Sequence, residues 1–386
     1  MLVFALAAII AACSSGPSGD PDDTPVPSAA GSPDPGAPRL FIIGQDLDAI
    51  RGYVASDCCI EPDGTTAYVD FYDIRSADAG YGGLGINLDG DPITMEADWG
   101  GGPANAYKTA TEFNTDYVAI GLSITENEHP GGLDRLVAGE HDAEIRQLAV
   151  FAKRIDATIL LRIGYEFDGA WNRGYDNTPR YIAAYRRIVD GLRAAGASNV
   201  QYVWQGAAST TDVVLDQGHH DDVRDWYPGD DYVDWLALSW FMHPDERPGI
   251  ELAFDVPTPK QLGDEILAMA RQIGKPVLIA EAAPQAYDLR DRTTAHHSPV
   301  WDGPAGENVT QVSDDAVWVG WFQPMFDYMN ANADVVRGLA YINVRWDDQD
   351  MWDSPYESGY WGDTRIEVNA YVTNHFNAAI SEWRGR

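Results

Sequence analysis

The sequence predicts a (β/α)8 TIM barrel, an α/β fold in which eight parallel strands alternate with helices. Short apolar runs alternate with segments of helical periodicity after residue 39, which is typical of a parallel sheet. The chain has 386 residues, which suits a barrel of roughly 250 residues with additional segments. No G-x-G-x-x-G motif follows the first strand in a helix-opening context, so a doubly wound dinucleotide-binding sheet is the weaker alternative.

Seven apolar runs are predicted to be strands. They are LFIIG (40–44), YVAIGLSI (117–124), TILLRIGYE (158–166), VQYVWQGA (200–207), YVDWLALSWF (232–241), PVLIAEA (276–282) and VRGLAYINV (336–344). The remaining strand is expected between residues 65 and 90, where AYVDFYDI and GGLGINL are both candidates. The glycine-rich GYGGLG at 80–85 indicates a close-packed turn rather than a phosphate cradle.

Five segments place apolar residues at the spacing of one helix face. They are HDAEIRQLAVFAKRI (141–155), RYIAAYRRIVDGL (180–192), QLGDEILAMARQI (261–273), AVWVGWFQPMFDYM (316–329) and VNAYVTNHFNAAISEW (368–383). Each follows a predicted strand, as a barrel requires.

The chain is expected to have three parts. Residues 1–13 are apolar, end in IIAAC, and are interpreted as a lipoprotein signal peptide whose Cys13 carries the lipid anchor. Residues 14–38 are Ser, Pro, Gly and Asp with almost nothing apolar, and are interpreted as a disordered tether. Residues 39–386 are expected to form the barrel domain. The protein is therefore expected outside the cytoplasm, lipid-anchored to a bacterial membrane or the cell surface.

The amino-acid composition limits the classes of partner that the protein is expected to bind. The formal net charge of −34 excludes a nucleic-acid surface and argues against anionic lipids and acidic polysaccharides. A neutral polymer is the better match, with the membrane reached only through the anchor, and we expect a monomer. The adjacent Cys58 and Cys59 have no Cys/His spacing for zinc. A vicinal disulfide in an oxidising compartment is the favoured interpretation, with two reduced thiols or pairing with another chain as the alternatives. No metal and no cofactor is predicted.

Two glutamates end apolar strands. Glu166 ends the predicted strand TILLRIGYE, and Glu281 ends PVLIAE. In a barrel the carboxyl ends of the strands form the site, so these carboxylates are expected to face each other across its mouth. Glycoside hydrolysis needs such a pair, one as acid and one as nucleophile or base. A single strand-end glutamate is more often solvated or paired, and Arg162, four residues before Glu166, is a candidate partner.

Aromatic residues at strand ends favour a sugar substrate, because indole rings stack on the apolar faces of sugars. Trp171, Trp204, Trp240 and Trp346 each lie at or just beyond a predicted strand end. Core packing is the alternative for several of the 13 tryptophans. Trp171 and Trp346 are the stronger candidates, Trp240 is weaker and Trp204 is the weakest.

The segment LLRIGYEFDGAWN (160–172) resembles the acid/base segment of glycoside hydrolase family 26. That segment typically reads Arg-Pro, any residue, His-Glu, Met, Asn-Gly, any residue, Trp. Arg162, Glu166, Gly169 and Trp171 fall in register with it. The resemblance implies a (β/α)8 retaining glycosidase with Glu166 as general acid/base.

Two further segments resemble the same family, in the same order along the chain. PVLIAEAAP (276–284) is similar to the nucleophile strand, which implies that Glu281 is the nucleophile. DWYPGDDYVDWLALSWF (225–241) resembles the Tyr-Pro-Gly-Asp…Tyr-Val-Asp run before strand six. The resemblance covers roughly residues 115–350.

This chain departs from the family pattern at several positions. Tyr165 stands where histidine is usual, Asp168 where asparagine is usual, and Trp240 or Phe241 where a tyrosine ends strand six. The catalytic pair therefore carries over better than the mannan specificity does. Arg162 and Tyr165 join the tryptophans as predicted substrate-binding residues.

The predicted function is a retaining endo-β-glycosidase, β-mannanase-like, that hydrolyses a neutral β-linked polysaccharide. β-1,3-Xylan and mixed-linkage β-glucan are alternative substrates. The alternative function is a non-catalytic glycan-binding surface lipoprotein on a degenerate barrel. The acidic loop at 341–367 is interpreted as solvated, with calcium binding through Asp347, Asp348 and Asp350 as the less favoured interpretation.

Overall fold

The computed structural model describes residues 38–245, 252–284, 287–294, 309–352 and 362–385. The predicted signal peptide, including Cys13, and nearly all of the predicted tether lie outside the described residues. Within the described residues, no helix is both long and apolar enough to cross a membrane.

Eight parallel strands close into a barrel. In chain order they are β1 (Leu40–Gly44), β2 (Gly64–Asp70), β3 (Tyr117–Ser123), β4 (Thr158–Ile163), β5 (Val200–Gly206), β6 (Trp235–Trp240), β7 (Val277–Ala282) and β8 (Val336–Ile342). Each strand pairs with its neighbours in sequence, and β1 pairs with β8 from Leu40 opposite Gly338 to Gly44 opposite Ile342. This is the predicted (β/α)8 barrel.

The helices surround the strands. They are α1 (Leu47–Val54), α2 (Ala106–Glu112), α3 (Gly132–Ala138), α4 (Asp142–Ala152), α5 (Thr178–Ala194), α6 (Thr210–Leu215), α7 (Pro259–Ile273), α8 (Asp314–Val317), α9 (Gln323–Ala331) and α10 (Ala370–Arg384). Several begin at side chains that accept hydrogen bonds from the first turn, as at Asp46 and Asn177. Thr258 and Gln261 form a reciprocal capping box for α7. Three two-residue strands, at 287–288, 293–294 and 310–311, form a small antiparallel sheet after β7.

Alternation along the strands divides the buried residues into two groups. Small and aliphatic side chains such as Ile42, Leu160 and Ala237 fill the barrel interior. Larger side chains such as Trp204 and Ile279 face outward and pack on the helices. A residue's position in this alternation decides whether it faces the barrel axis and so reaches the mouth.

The structure corrects several boundaries. Strand two is Gly64–Asp70, so AYVDFYDI contains only its second half, and GGLGINL is not a strand. Strand β4 ends at Ile163, so Gly164–Glu166 form a turn rather than the end of the strand. The predicted helix at 316–329 contains a π-helical turn at Trp318–Phe322 between α8 and α9. Helices α1, α2, α3 and α6 had not been predicted, and all have eight residues or fewer.

The vicinal disulfide favoured for Cys58 and Cys59 is contradicted, because both are free thiols. Their sulfur atoms lie 3.3 Å apart. Adjacent Cα atoms are about 3.8 Å apart, which is closer than an ordinary disulfide spans. The turn instead keeps its hydrogen bonds to α10, where the Asn377 amide donates to the Cys58 carbonyl and accepts from the Ile60 N–H.

Candidate active site

The turn after β4 holds Glu166 in an uncommon backbone conformation. Gly164 and Glu166 both have positive φ, at 55° and 53°. A Cβ on Gly164 would lie 2.7 Å from the Tyr181 ring, so glycine is required there. The Asn172 side chain donates to the Glu166 carbonyl at 2.8 Å. A left-handed conformation at a non-glycine residue is unfavourable, and such strain is common at functional sites.

Two donors hold the half-buried Glu166 carboxyl. Ser239 Oγ, on β6, lies 2.8 Å from Oε1, and Trp171 Nε1 lies 3.0 Å from Oε2. Burial, followed by the negative charge of Glu281, raises the pKa of Glu166 to about 8, although both donors oppose the rise. This carboxyl is therefore protonated at neutral pH, as a general acid must be.

A β-bulge turns Glu281 toward the barrel axis. Leu278 and Ala280 belong to the barrel interior, so strict alternation would point residue 281 outward. The pairing with β6 shifts between Leu238 opposite Ile279 and Ser239 opposite Glu281. A bulge re-aims the side chain that follows it, and here it brings the Glu281 carboxylate into the mouth beside the residues that bind it.

The Glu281 carboxylate is 6% exposed and is paired with a buried cation. Its Oε1 accepts from Arg162 Nη1 at 2.5 Å and from Tyr68 Oη at 3.0 Å. The guanidinium carbon of Arg162 lies 5.0 Å from the Tyr68 ring centroid and 5.2 Å from that of Tyr165, so both rings contribute cation–π attraction. Arg162, the candidate partner of Glu166, thus pairs with Glu281 instead.

Arg162 also begins a chain of hydrogen bonds that ends at Glu166. Arg162 Nη1 donates to Gln205 Oε1 at 3.0 Å, and Gln205 Nε2 donates to Ser239 Oγ at 3.1 Å. Ser239 in turn contacts Glu166. Arg162 and Gln205 are fully buried and Ser239 nearly so, so the two glutamates are linked through groups that are shielded from water.

The predicted site tryptophans have different positions. Trp171 is 38% exposed and lies beside Glu166, packed so closely that a Cβ on Gly169 would be 2.5 Å from its ring. Trp346 follows β8, is 3% exposed, and packs with Ala283 after the Glu281 strand. It therefore lies near the mouth but beneath its surface.

The structure does not bring Trp204 or Trp240 to the carboxylates. Trp204 stacks on Phe167 at 4.3 Å on the outer face of β5. Trp240 packs on Tyr328 of α9 at 4.8 Å. Their neighbours Gln205 and Ser239 face inward, so alternation puts both tryptophans on the helix side. These two predicted substrate-binding residues are therefore core residues.

Three residues of the site were not predicted from the sequence: Tyr68, Gln205 and Ser239. A usable signal existed for the last two, since Ser239 is polar within an otherwise apolar strand and Gln205 is one of two glutamines on the same face of β5. Tyr68 carried no comparable signal, because the position of β2 was undecided.

Two side-chain groups in the described ranges have metal-ligand spacing: Asp70, Asp73 and His129, and Asp216, His219 and Asp221. His129 Nε2 lies 3.6 Å from Asp70 Oδ1 and 3.8 Å from Asp73 Oδ2. The hydrogen bonds that hold Glu166 and Glu281 use neither group.

The acidic loop after β8 contributes to neither of these groups. Asp347 Oδ1 accepts from the Gly362 N–H at 3.0 Å, and Asp348 pairs with Arg345 at 3.3 Å. Residues 353–361 of this loop lie outside the described residues, so its calcium binding stays a prediction.

Comparisons with known proteins identify relatives of this chain. The model of glycosyl hydrolase family 26 matches residues 104–273. A β-1,3-xylanase from a Vibrio species is 32% identical over 344 residues, covering 89% of this chain and 65% of that protein. A β-1,3-xylanase from an Alcaligenes species is 32% identical over 342 residues, covering 88% of this chain and 63% of that protein. The chain thus spans just under two thirds of the length of these relatives.

The fold is also found among solved structures. A family 26 β-mannanase from Bacteroides ovatus superposes with a TM-score of 0.53 at 13% identity, covering 90% of this chain and 89% of that one. This likeness shows the fold alone, whereas the family model shows that the matched residues 104–273 belong to glycoside hydrolase family 26.

Proposed function

We propose that this chain is a retaining endo-β-glycosidase that hydrolyses β-1,3-xylan by double displacement, with Glu166 as general acid/base and Glu281 as nucleophile. One observation carries the assignment of roles. Two carboxyls at the mouth have opposite environments: Glu281 is paired with Arg162, whereas Glu166 has a pKa raised to about 8 by burial and by Glu281. Two titratable groups with such different surroundings are typical of an acid and a nucleophile.

The same geometry supports the second half of the reaction. The negative charge of Glu281 is one of the causes that raise the pKa of Glu166. When Glu281 forms an ester with the sugar, that charge disappears, so the pKa of Glu166 falls. Glu166 then loses its proton more readily and acts as the base that activates water.

The substrate assignment rests on the relatives. Both proteins that are 32% identical over nearly the whole chain carry the name β-1,3-xylanase. The likeness to the Bacteroides ovatus mannanase is at 13% identity and supports the fold alone. The exposed Trp171 beside Glu166 provides a surface on which a neutral sugar ring can stack.

A substrate panel tests the proposal. The purified chain is incubated with β-1,3-xylan, β-1,4-xylan, β-mannan and mixed-linkage β-glucan, and reducing ends and anomeric configuration are followed by colorimetry and NMR. We expect release from β-1,3-xylan with retention of configuration. Release of the inverted anomer would contradict the mechanism, cleavage of β-mannan alone would contradict the substrate, and binding without hydrolysis would support the glycan-binding alternative.

Replacing Trp171 with phenylalanine is expected to move the alkaline limb of the kcat/KM–pH profile upward. In the native chain this limb is expected near pH 8, because Glu166 must be protonated to act as an acid. The Trp171 N–H favours the ionised carboxyl, so its loss raises the pKa of Glu166 further, by up to about one unit.

The profile is measured with a soluble oligosaccharide. Trp99→Phe, the same change at another exposed tryptophan, serves as a control whose limb stays in place. A W171F variant that loses rate without any movement of the limb would show that Trp171 acts on the sugar and not on Glu166.

We also propose that the protein is exported and held at a bacterial membrane through a lipid on Cys13, with residues 14–38 as a tether. The proposal is supported by the apolar residues 1–12 and the IIAAC motif. Labelling of the full chain in bacteria with an alkyne fatty acid tests it. Incorporation that is absent from Cys13→Ala is expected, and equal labelling of both would contradict it.

A further inference from the structure

The hydrogen bonds between Arg162 and Glu166 have only one consistent direction. A guanidinium donates and never accepts, so the atom of Gln205 that faces Arg162 must be its carbonyl Oε1. The amide nitrogen of Gln205 therefore faces Ser239, and it too can only donate. Ser239 Oγ is thus an acceptor toward Gln205.

The hydroxyl hydrogen of Ser239 is then left for Glu166. Ser239 is 5% exposed, and among the described residues Glu166 Oε1 is the acceptor that lies within reach of its Oγ, at 2.8 Å. A buried hydroxyl that does not donate is unfavourable by roughly 1–3 kcal/mol. Glu166 Oε1 therefore receives the hydrogen of a buried donor that has no second acceptor among the described residues.

The proton of the Glu166 carboxyl is accordingly assigned to the other oxygen. Oε2 also accepts a hydrogen, from Trp171 Nε1 at 3.0 Å. Trp171 is exposed, so its N–H can bond to water instead, whereas the buried Ser239 hydroxyl cannot. Oε2 is thus the oxygen on the cleft side, where a glycosidic oxygen can approach.

We propose that Gln205 and Ser239 are positioning residues that keep the catalytic proton of Glu166 on Oε2. Arg162 sets the direction of the hydrogen bonds that they form. The proposal rests on the proposed function, in which Glu166 is the acid. It gives Arg162 two roles: the guanidinium neutralises Glu281 and, through two intermediate side chains, fixes which oxygen of Glu166 delivers the proton.

The dependence of kcat/KM on the leaving group distinguishes the proposed positioning role of Gln205 and Ser239 from a purely structural role. A sugar alcohol is a poor leaving group and needs the proton, whereas 2,4-dinitrophenolate leaves without it. The probes are β-1,3-xylotetraose and 2,4-dinitrophenyl β-1,3-xylobioside, and kcat/KM reports the glycosylation step for both. For Ser239→Ala we expect kcat/KM to fall roughly 10- to 100-fold on the tetraose and less than about threefold on the aryl glycoside.

Gln205→Glu is expected to reverse the direction of the hydrogen bonds between Arg162 and Glu166, with almost no change in the shape of the side chain. A carboxylate at this position still accepts from Arg162 but has no hydrogen for Ser239, so the Ser239 hydroxyl turns toward it. Ser239 then presents a lone pair to Glu166 Oε1 and draws the proton to the wrong oxygen. We expect a loss on the tetraose at least as large as that of S239A, again with a small loss on the aryl glycoside.

Gln201→Glu is the matched control. Gln201 lies four residues earlier on β5, on the same face, and accepts from Trp235 Nε1 at 2.8 Å. The same substitution there is expected to leave both rates within about twofold.

Equal losses on the two probes in S239A and Q205E, or no loss in either, would overturn the inference while the proposed function stands. A native chain that cleaves neither probe would overturn the proposed function and the inference together.

Discussion

Replacing Glu281 with glutamine is expected to lower the hydrolysis of β-1,3-xylan by at least about 10³-fold and also to destabilise the fold. The amide is not a nucleophile, so no glycosyl–enzyme forms. The destabilisation arises at Arg162, which is fully buried and has Glu281 as its anionic partner. The amide oxygen still accepts from Arg162 and Tyr68, but the buried positive charge loses its counter-charge.

The magnitude of this second effect is large because the pair is shielded from water. Removing one member of a buried ion pair destabilises proteins by roughly 3–5 kcal/mol, which for a chain of this size corresponds to a fall in Tm of several degrees. Thermal unfolding of E281Q at neutral pH measures it. Arg271→Gln is a suitable control, because Arg271 pairs with Asp334 at the surface, where such pairs contribute little. An E281Q variant as stable as the native chain would show that Arg162 does not need the charge.

The barrel and the presence of two glutamates at its mouth could be predicted because both depend on local patterns. Apolar runs such as LFIIG predicted β1 to the residue. The inward position of Glu281 was expected from its place at a strand end, but the β7 bulge that produces it could not be predicted, because it breaks the period-2 pattern. Without the bulge, alternation from Leu278 would place Glu281 outside the barrel.

The prediction that Trp204 and Trp240 bind substrate was wrong for a related physical reason. Proximity to a strand end indicates a site residue only where the side chain faces the barrel axis. Trp204 and Trp240 lie next to the inward-facing Gln205 and Ser239, so they face the helices. The alternation of inward-facing and outward-facing side chains along a strand is the better guide to which residues reach the site. Applied to the sequence, it favours the two polar residues over the two tryptophans.

Replacing Glu166 with glutamine is expected to lower activity on xylan by roughly 10²- to 10⁴-fold, yet to have the opposite effect on stability from E281Q. The pKa of Glu166 is raised to about 8 in the folded chain, whereas an unfolded glutamate titrates near 4.3. The protonated Glu166 therefore makes its full contribution to the free energy of unfolding below about pH 4.3. This contribution is lost as the pH rises toward 8.

Glutamine does not titrate, so E166Q avoids this loss. The stability difference between E166Q and the native chain should grow in favour of the variant from pH 4 to pH 8 and then level off. A change in hydrogen bonding to Ser239 or Trp171 adds a constant to this difference but does not alter its slope. Chemical denaturation of both proteins at several pH values measures it, and a difference that is flat across this range would show that Glu166 titrates normally. The two substitutions therefore change the stability of the fold in opposite directions. Removing the charge at Glu281 leaves a buried cation without its counter-charge, whereas removing the charge at Glu166 removes a buried anion.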